Sequence, residues 1–197
     1  MHQVANFFIG GHLNVLCCNK ACGRMSIRRR LFQKYCSATA CADEFWKLVK
    51  PGCEILALDI GGRITGLAIS RKRSIARPMG VLRHSKNTSL ADSGEYLLDL
   101  VNTHGVNGLV VGWPLEDFTY EGRQCRRIHY QIAGTFKKHP QLAQLPLLLR
   151  DESYTTKDVE ETGIMLLKRD FKKDGVIDEL VAANMLQDVL DEMPSSL

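Results

Sequence analysis

No aspartate or glutamate occurs before Asp43 in this chain of 197 residues, although Lys20, Arg24, Arg28, Arg29, Arg30 and Lys34 all precede it. Removing those six from the 26 Lys and Arg leaves 20 bases against 22 acids, a balance of −2. The net charge of +4 therefore belongs to the first segment. The remainder is not basic all over, so any surface on it for a polyanion has to be a local patch. Long apolar runs are also missing: none approaches the roughly 18 residues that cross a bilayer, which argues against a membrane partner. Cysteine is scarce where it would matter. Five of the seven, Cys17, Cys18, Cys22, Cys36 and Cys41, lie in the first stretch, leaving Cys53 and Cys125. An odd count with so few beyond residue 42 excludes a disulfide scaffold, and no second ligand pair at zinc-finger spacing follows Cys17, Cys18 and Cys22. There is no internal repeat and no low-complexity linker after residue 42.

Residues 1–42 are Arg-rich, contain Ser26 and Ser37 and lack acids, the composition of an organellar transit peptide or a disordered leader. The expected location is a chloroplast or mitochondrion, with the cytoplasm as the alternative. A secretory signal fits poorly, because Arg28, Arg29 and Arg30 follow the apolar stretch instead of preceding it. Residues 43–197 have the size of one domain with a single core.

Within that domain, a short helical lead-in from Asp43 to Lys50 is followed by three apolar runs, Glu54 to Ile60, Arg63 to Ser70 and Ala76 to Arg83. Turn residues separate them, so three adjacent antiparallel strands are expected. After Ser89 the spacing turns helical until His104-Gly105, and Gly108 to Gly112 is then a short buried strand. A second amphipathic stretch, Glu121 to Lys138, precedes an apolar strand from Pro146 to Arg150. Thr155 followed by Asp158 resembles a capping signal for a further helix. A last helix begins near Ile177 and ends before Pro194. Strands alternating with helices imply parallel pairing through crossovers, giving an α/β fold with a mixed sheet flanked by helices.

Three acids fall at element ends, where distant parts of the chain meet above a sheet. Asp59 ends the strand in LALDIGG, Glu152 follows the strand LPLLLRD, and Asp178 opens the final helix. That helix places Asp178, Ala182, Met185 and Val189 on one face, because offsets of 4, 7 and 11 residues nearly complete whole turns. Glu179 and Asp188 remain free to face solvent. Gathered carboxylates repel unless cations lie between them, and hard oxygen ligands with few histidines favour Mg²⁺ or Mn²⁺. Two such ions, typically about 4 Å apart, activate water and stabilise a leaving oxygen in phosphodiester cleavage. Taken singly, each acid also has a plain structural reading: Asp178 as an N-cap, Asp59 as a turn residue, Glu152 as a solvated strand end.

At these residues the sequence resembles the YqgF/RuvX family, associated with Holliday junction resolution and pre-ribosomal RNA processing on an RNase H-like fold. The resemblance spans about residues 54 to 192 and rests on LALDIGGRITGLAIS, VVGWPL, RDESYTT and GVIDELVAANMLQDVL, in that order. It implies a five-stranded mixed sheet, a nuclease acting on structured RNA or branched DNA, and a catalytic and metal-binding triad at Asp59, Glu152 and Asp178. A homodimer is the arrangement expected if paired cuts are made. Two departures touch substrate handling: the loop after Leu115 reads Glu116-Asp117-Phe118, and Ser153 stands where the family usually has Arg. Arg63, Arg123, Arg126 and Arg127 are the candidate replacement contacts to phosphate, and Trp113 a candidate for stacking on a base or for packing over Pro114.

Two other readings compete. DIGGRITGLAI also looks like the phosphate loop of sugar and acetate kinases, but those need a second, duplicated domain to enclose ATP. The other is a non-catalytic RNA-binding or ribosome-assembly factor that keeps the fold.

Overall fold

The computed structural model describes residues 38–39, 42–85, 88–114, 123–151 and 175–194. The described elements are β1 (Ala38–Thr39), α1 (Ala42–Leu48), β2 (Glu54–Ile60), β3 (Ile64–Arg71) and β4 (Ile75–Arg83). A 3-10 turn at Leu90–Ser93 then runs into α2 (Gly94–His104), followed by β5 (Val106–Trp113), α3 (Arg123–Lys138), β6 (Leu147–Asp151) and α4 (Val176–Asp191). The helix expected after Thr155 and residues 1–37 lie outside the described residues.

The strands form one sheet in the order β1-β6-β5-β2-β3-β4. The β2–β3 and β3–β4 pairs are antiparallel, as the short turns require, while β2–β5, β5–β6 and β1–β6 are parallel. Strands β2 to β6 are the expected five-stranded mixed sheet with flanking helices. The two-residue strand β1 extends it, within the span read from sequence as leader, because Ala38 and Thr39 pair with Leu147 and Leu148.

Alternation along β2 divides the interior. Leu56, Leu58 and Ile60 face one core with Leu97 and Leu100 of α2 and Ile128, Ile132 and Phe136 of α3. Ile55 and Ala57 face the other, with Phe45 and Trp46 of α1 and Ala182, Met185 and Val189 of α4. The last three are each 0% exposed, as the helical spacing predicts. With both faces covered, the central strands read as nearly continuous apolar runs, and each buried large side chain contributes roughly 1.5–3 kcal/mol relative to exposure.

The β3–β4 turn uses Lys72 and Arg73 at φ 52° and 54°, a left-handed conformation that ordinary residues adopt only when something holds them there. Arg73 supplies that hold. Its guanidinium donates to the carbonyls of Val49, Lys50 and Cys53 and lies 5.5 Å from the centre of the Trp46 ring. The turn is thereby fastened to α1.

Strand β4 is the outer edge of the sheet, and three of its positions are closed to further pairing. The Ala76 N–H donates to Gln187 Oε1 at 3.0 Å and the Gly80 N–H to Glu179 Oε2 at 2.7 Å. Pro78, between them, has no N–H.

Candidate active site

Asp59 follows Ile55 and Ala57 in the alternation of β2, so its side chain emerges on the α4 side of the sheet. Its neighbour across the antiparallel pair is Gly66. A Cβ on Gly66 would stand 2.0 Å from the backbone oxygen of Asp178 and 2.8 Å from the Glu179 nitrogen. The first turn of α4 therefore rests directly on the β3 backbone, and only glycine leaves room for it. This contact carries Asp178 to the strand pair that holds Asp59.

The turn after β2 closes the approach. Gly61 N–H donates back to the Asp59 carbonyl at 3.2 Å. A Cβ on Gly61 would meet the Ile64 oxygen at 2.5 Å, and Asp178 Oδ1 lies 3.8 Å from the same point. Asp178 thus faces the turn that follows Asp59. Gly175, at φ 76°, caps α4, which makes Asp178 the third residue of the helix and not its N-cap. Burial raises the Asp178 pKa above its ordinary value of 3.8; the bond from its own backbone N–H and the nearby Arg83 guanidinium oppose this without cancelling it.

The sequence-derived arginines fall in different places. Arg127, exposed on α3, brings Nη1 to 3.1 Å from where a Gly62 side chain would begin, so its guanidinium lies against the turn beyond Asp59. Arg63 is exposed in the same turn, and Arg123 and Arg126 are exposed on α3. Trp113 is a correction: its ring is 3% exposed inside the α2–α3 core, so it packs and offers no face to a base. Glu179 is another, since it is half-buried and bonded to Gly80 instead of solvated. Asp188 is exposed as expected. Glu152, Ser153 and the loop Glu116-Asp117-Phe118 lie outside the described residues.

Sequence reading missed Gly66, Arg83 and His84. A glycine inside a strand pattern is a known sign of close backbone approach, and that was the available signal for Gly66. His84 Nε2 meets Thr65 Oγ1 at 2.8 Å, and its backbone N–H donates to the Arg63 carbonyl at 2.7 Å. Both side chains are buried, which lowers the His84 pKa, while Asp92 acts weakly in the other direction.

Among the described residues no group of three His, Cys, Asp or Glu could hold a metal ion. Asp59 and Asp178 are two of the three expected ligands. They are hard oxygen donors, and Asp178 is a half-buried acid whose charge its protein surroundings under-compensate, so both fit a divalent cation such as Mg²⁺ or Mn²⁺.

Residues 53–192 match the family model described as RuvX: Holliday junction resolvase. The chain belongs to the RuvX family. Among its curated relatives, one from Paramagnetospirillum magneticum is 34% identical over 70% of this chain and 84% of its own length. Another, from Campylobacter lari, is 33% identical over 68% of this chain and 94% of its own. Both carry the name "Putative pre-16S rRNA nuclease". Among solved structures, T. thermophilus RuvC in complex with a Holliday junction substrate is 15% identical, at a TM-score of 0.47, covering 73% of this chain and 97% of that one.

Proposed function

We propose that this RuvX-family nuclease hydrolyses phosphodiester bonds in structured RNA, at the 5′ end of a small-subunit ribosomal RNA precursor, using Asp59, Glu152 and Asp178 as catalytic metal ligands. The observation that carries the proposal is the seating of α4 on Gly66, which brings Asp178 to the turn after Asp59. The names of the relatives at 33% and 34% identity support the RNA substrate. Branched DNA is the second reading, favoured by the family description.

Asp59 and Asp178 would hold the cation, and Glu152 would complete its ligands. When bound, Mg²⁺ or Mn²⁺ supplies an activated water and charge stabilisation at the leaving oxygen. The chain's own contributions are rigid placement of the two carboxylates and positive charge beside them. Arg127 and Arg63, at the Gly61–Arg63 turn, are placed to contact the phosphate on one side of the cut, with Arg123 and Arg126 further along α3. A homodimer would allow paired cuts on a two-fold substrate. The acid-free residues 1–42 would direct the protein to a chloroplast or mitochondrion, tested by fusing them to a fluorescent protein.

The deciding experiment compares wild type with Asp59→Asn on 5′-extended pre-rRNA and on a four-way DNA junction, with Mg²⁺ and with EDTA. Cleavage by wild type in Mg²⁺ alone, lost in Asp59→Asn at unchanged melting temperature, is the expected result. RNA binding with identical, metal-independent background in both proteins would establish a non-catalytic assembly factor instead.

A further inference from the structure

From Ile60 to Ala91 the chain contains no Asp or Glu, while Arg63, Arg71, Lys72, Arg73, Arg77, Arg83 and Lys86 fall within it. In a domain whose overall balance is negative, the β3–β4 hairpin is one of two acid-free basic stretches, the other running from Arg123 to Arg150. Arg73 is buried and spent on carbonyls near α1. Arg63, Arg71, Lys72, Arg77 and Arg83 are exposed.

Their placement is directional. Arg83, at the end of β4, acts electrostatically on Asp178. Arg77 pairs with Ile69, and Arg71 with Ile75, so both arginines lie on the face opposite α4. That face is open at the start of β4, where Ile75 is 54% exposed and Arg77 is exposed, whereas Met79 and Leu82 further along pack against the α2–α3 core. Six residues separate Arg77 from Arg83, about 20 Å at roughly 3.3 Å per residue. Two acids that touch the hairpin are engaged elsewhere. Glu54 accepts from Ser70 Oγ and the Lys72 N–H, Glu179 from the Gly80 N–H on the α4 side, and neither forms an ion pair with Arg71 or Arg77.

We propose that Arg71 and Arg77 on this open face bind the sugar-phosphate backbone of a nucleic-acid duplex arm that leaves the bond cut at Asp59 and Asp178 on the α4 side, passes Arg83 and rounds the β4 edge of the sheet. This rests on the nuclease reading above. A peptide strand is a poor occupant, since Glu179, Gln187 and Pro78 remove outward N–H groups that it would need. Guanidinium groups suit phosphate oxygens, and a length of about 20 Å spans about six base pairs at 3.4 Å each.

The test measures binding of Asp59→Asn protein, which cannot cut, to a four-way DNA junction and to an RNA helix with a single-stranded flank. Each is made with long arms and with arms of about four base pairs. Adding Arg71→Ala and Arg77→Ala is expected to raise Kd roughly tenfold on long arms in 50 mM salt and to flatten the salt dependence by about one phosphate per arginine. Short arms should show little of this loss. Arg77→Lys should retain most of the binding, and Lys47→Ala, an exposed charge on α1, all of it. Loss on only one of the two substrates identifies which backbone the hairpin holds. Unchanged Kd and salt slope on both long-armed substrates, at unchanged melting temperature, would overturn the inference. Wild-type binding without any cleavage would sink the nuclease reading while leaving the hairpin result to stand by itself.

Discussion

Burial raises the pKa of Asp178 above 3.8, so ionising it in the metal-free protein costs folding free energy. Below pH 3.8 folded and unfolded chains both hold the proton and the penalty is absent. As pH rises through the raised folded value the unfolded chain releases its proton more readily, and stability falls. Thermal melts in EDTA should therefore show a loss of stability across that window in wild type and a weaker one in Asp178→Asn, with the variant melting no lower at pH 7. A clearly lower melt would mean that the favourable charge at the start of α4 outweighs burial. His84 has the opposite sign. Its pKa is held below 6.5 by burial, so stability present above pH 6.5 is lost as pH falls toward the folded value, because the unfolded chain takes up the proton first. His84→Gln should flatten that slope in melts taken as pH falls below 6.5. At this scale the sequence was a partial guide. Acids ending a strand and opening a helix could be picked out because their element ends are marked by Gly61-Gly62 and Gly175. Trp113 stayed open between stacking and packing in the sequence, because Gly112 and Pro114 flank it like loop residues; alternation with Leu109 and Val111 is what turns it into the core.

Elements explain why those acids meet. The α4 face of Ala182, Met185 and Val189 was readable from spacing, and so was the antiparallel run of β2, β3 and β4. What spacing does not encode is how close a helix comes to a strand, and that is decided at Gly66. Gly66→Ala would drive a Cβ into backbone atoms of Asp178 and Glu179, which cannot rotate away. Overpacking of this kind costs typically 1–3 kcal/mol, here at the upper end or beyond, since backbone and not a flexible side chain is in the way. Urea denaturation should show that loss, and cleavage should fall further than the folded fraction does, because α4 would move off β3. A variant of full activity and stability would remove Gly66 from the account of the site. The two-residue strand β1 was not legible, because so short a pairing depends on the partner Leu147 and Leu148 and leaves no periodic trace in the sequence.

For the whole molecule, the closed edge of β4 bears on assembly. Outward N–H groups of a terminal strand are templates for association, and here Gln187, Pro78 and Glu179 remove three in succession. Any homodimer should therefore form through another surface. The combined variant Pro78→Val, Glu179→Ala, Gln187→Ala is expected to self-associate, visible as a larger species by light scattering at concentrations where wild type shows none. Equal behaviour of the two would mean that the edge needs no protection. The helix that supplies two of these side chains is also moored at both ends. Its first turn sits on Gly66 of β3, and just beyond its last turn Glu192 pairs with Arg150 of β6 at 2.8 Å, two positions before Glu152 in the chain. Such a helix acts as a strut that sets a distance across the sheet, and struts fail at their joints first. On warming, the separation between Asp59 and Asp178 should loosen while the sheet is still intact, so activity should fade at temperatures below the melting transition.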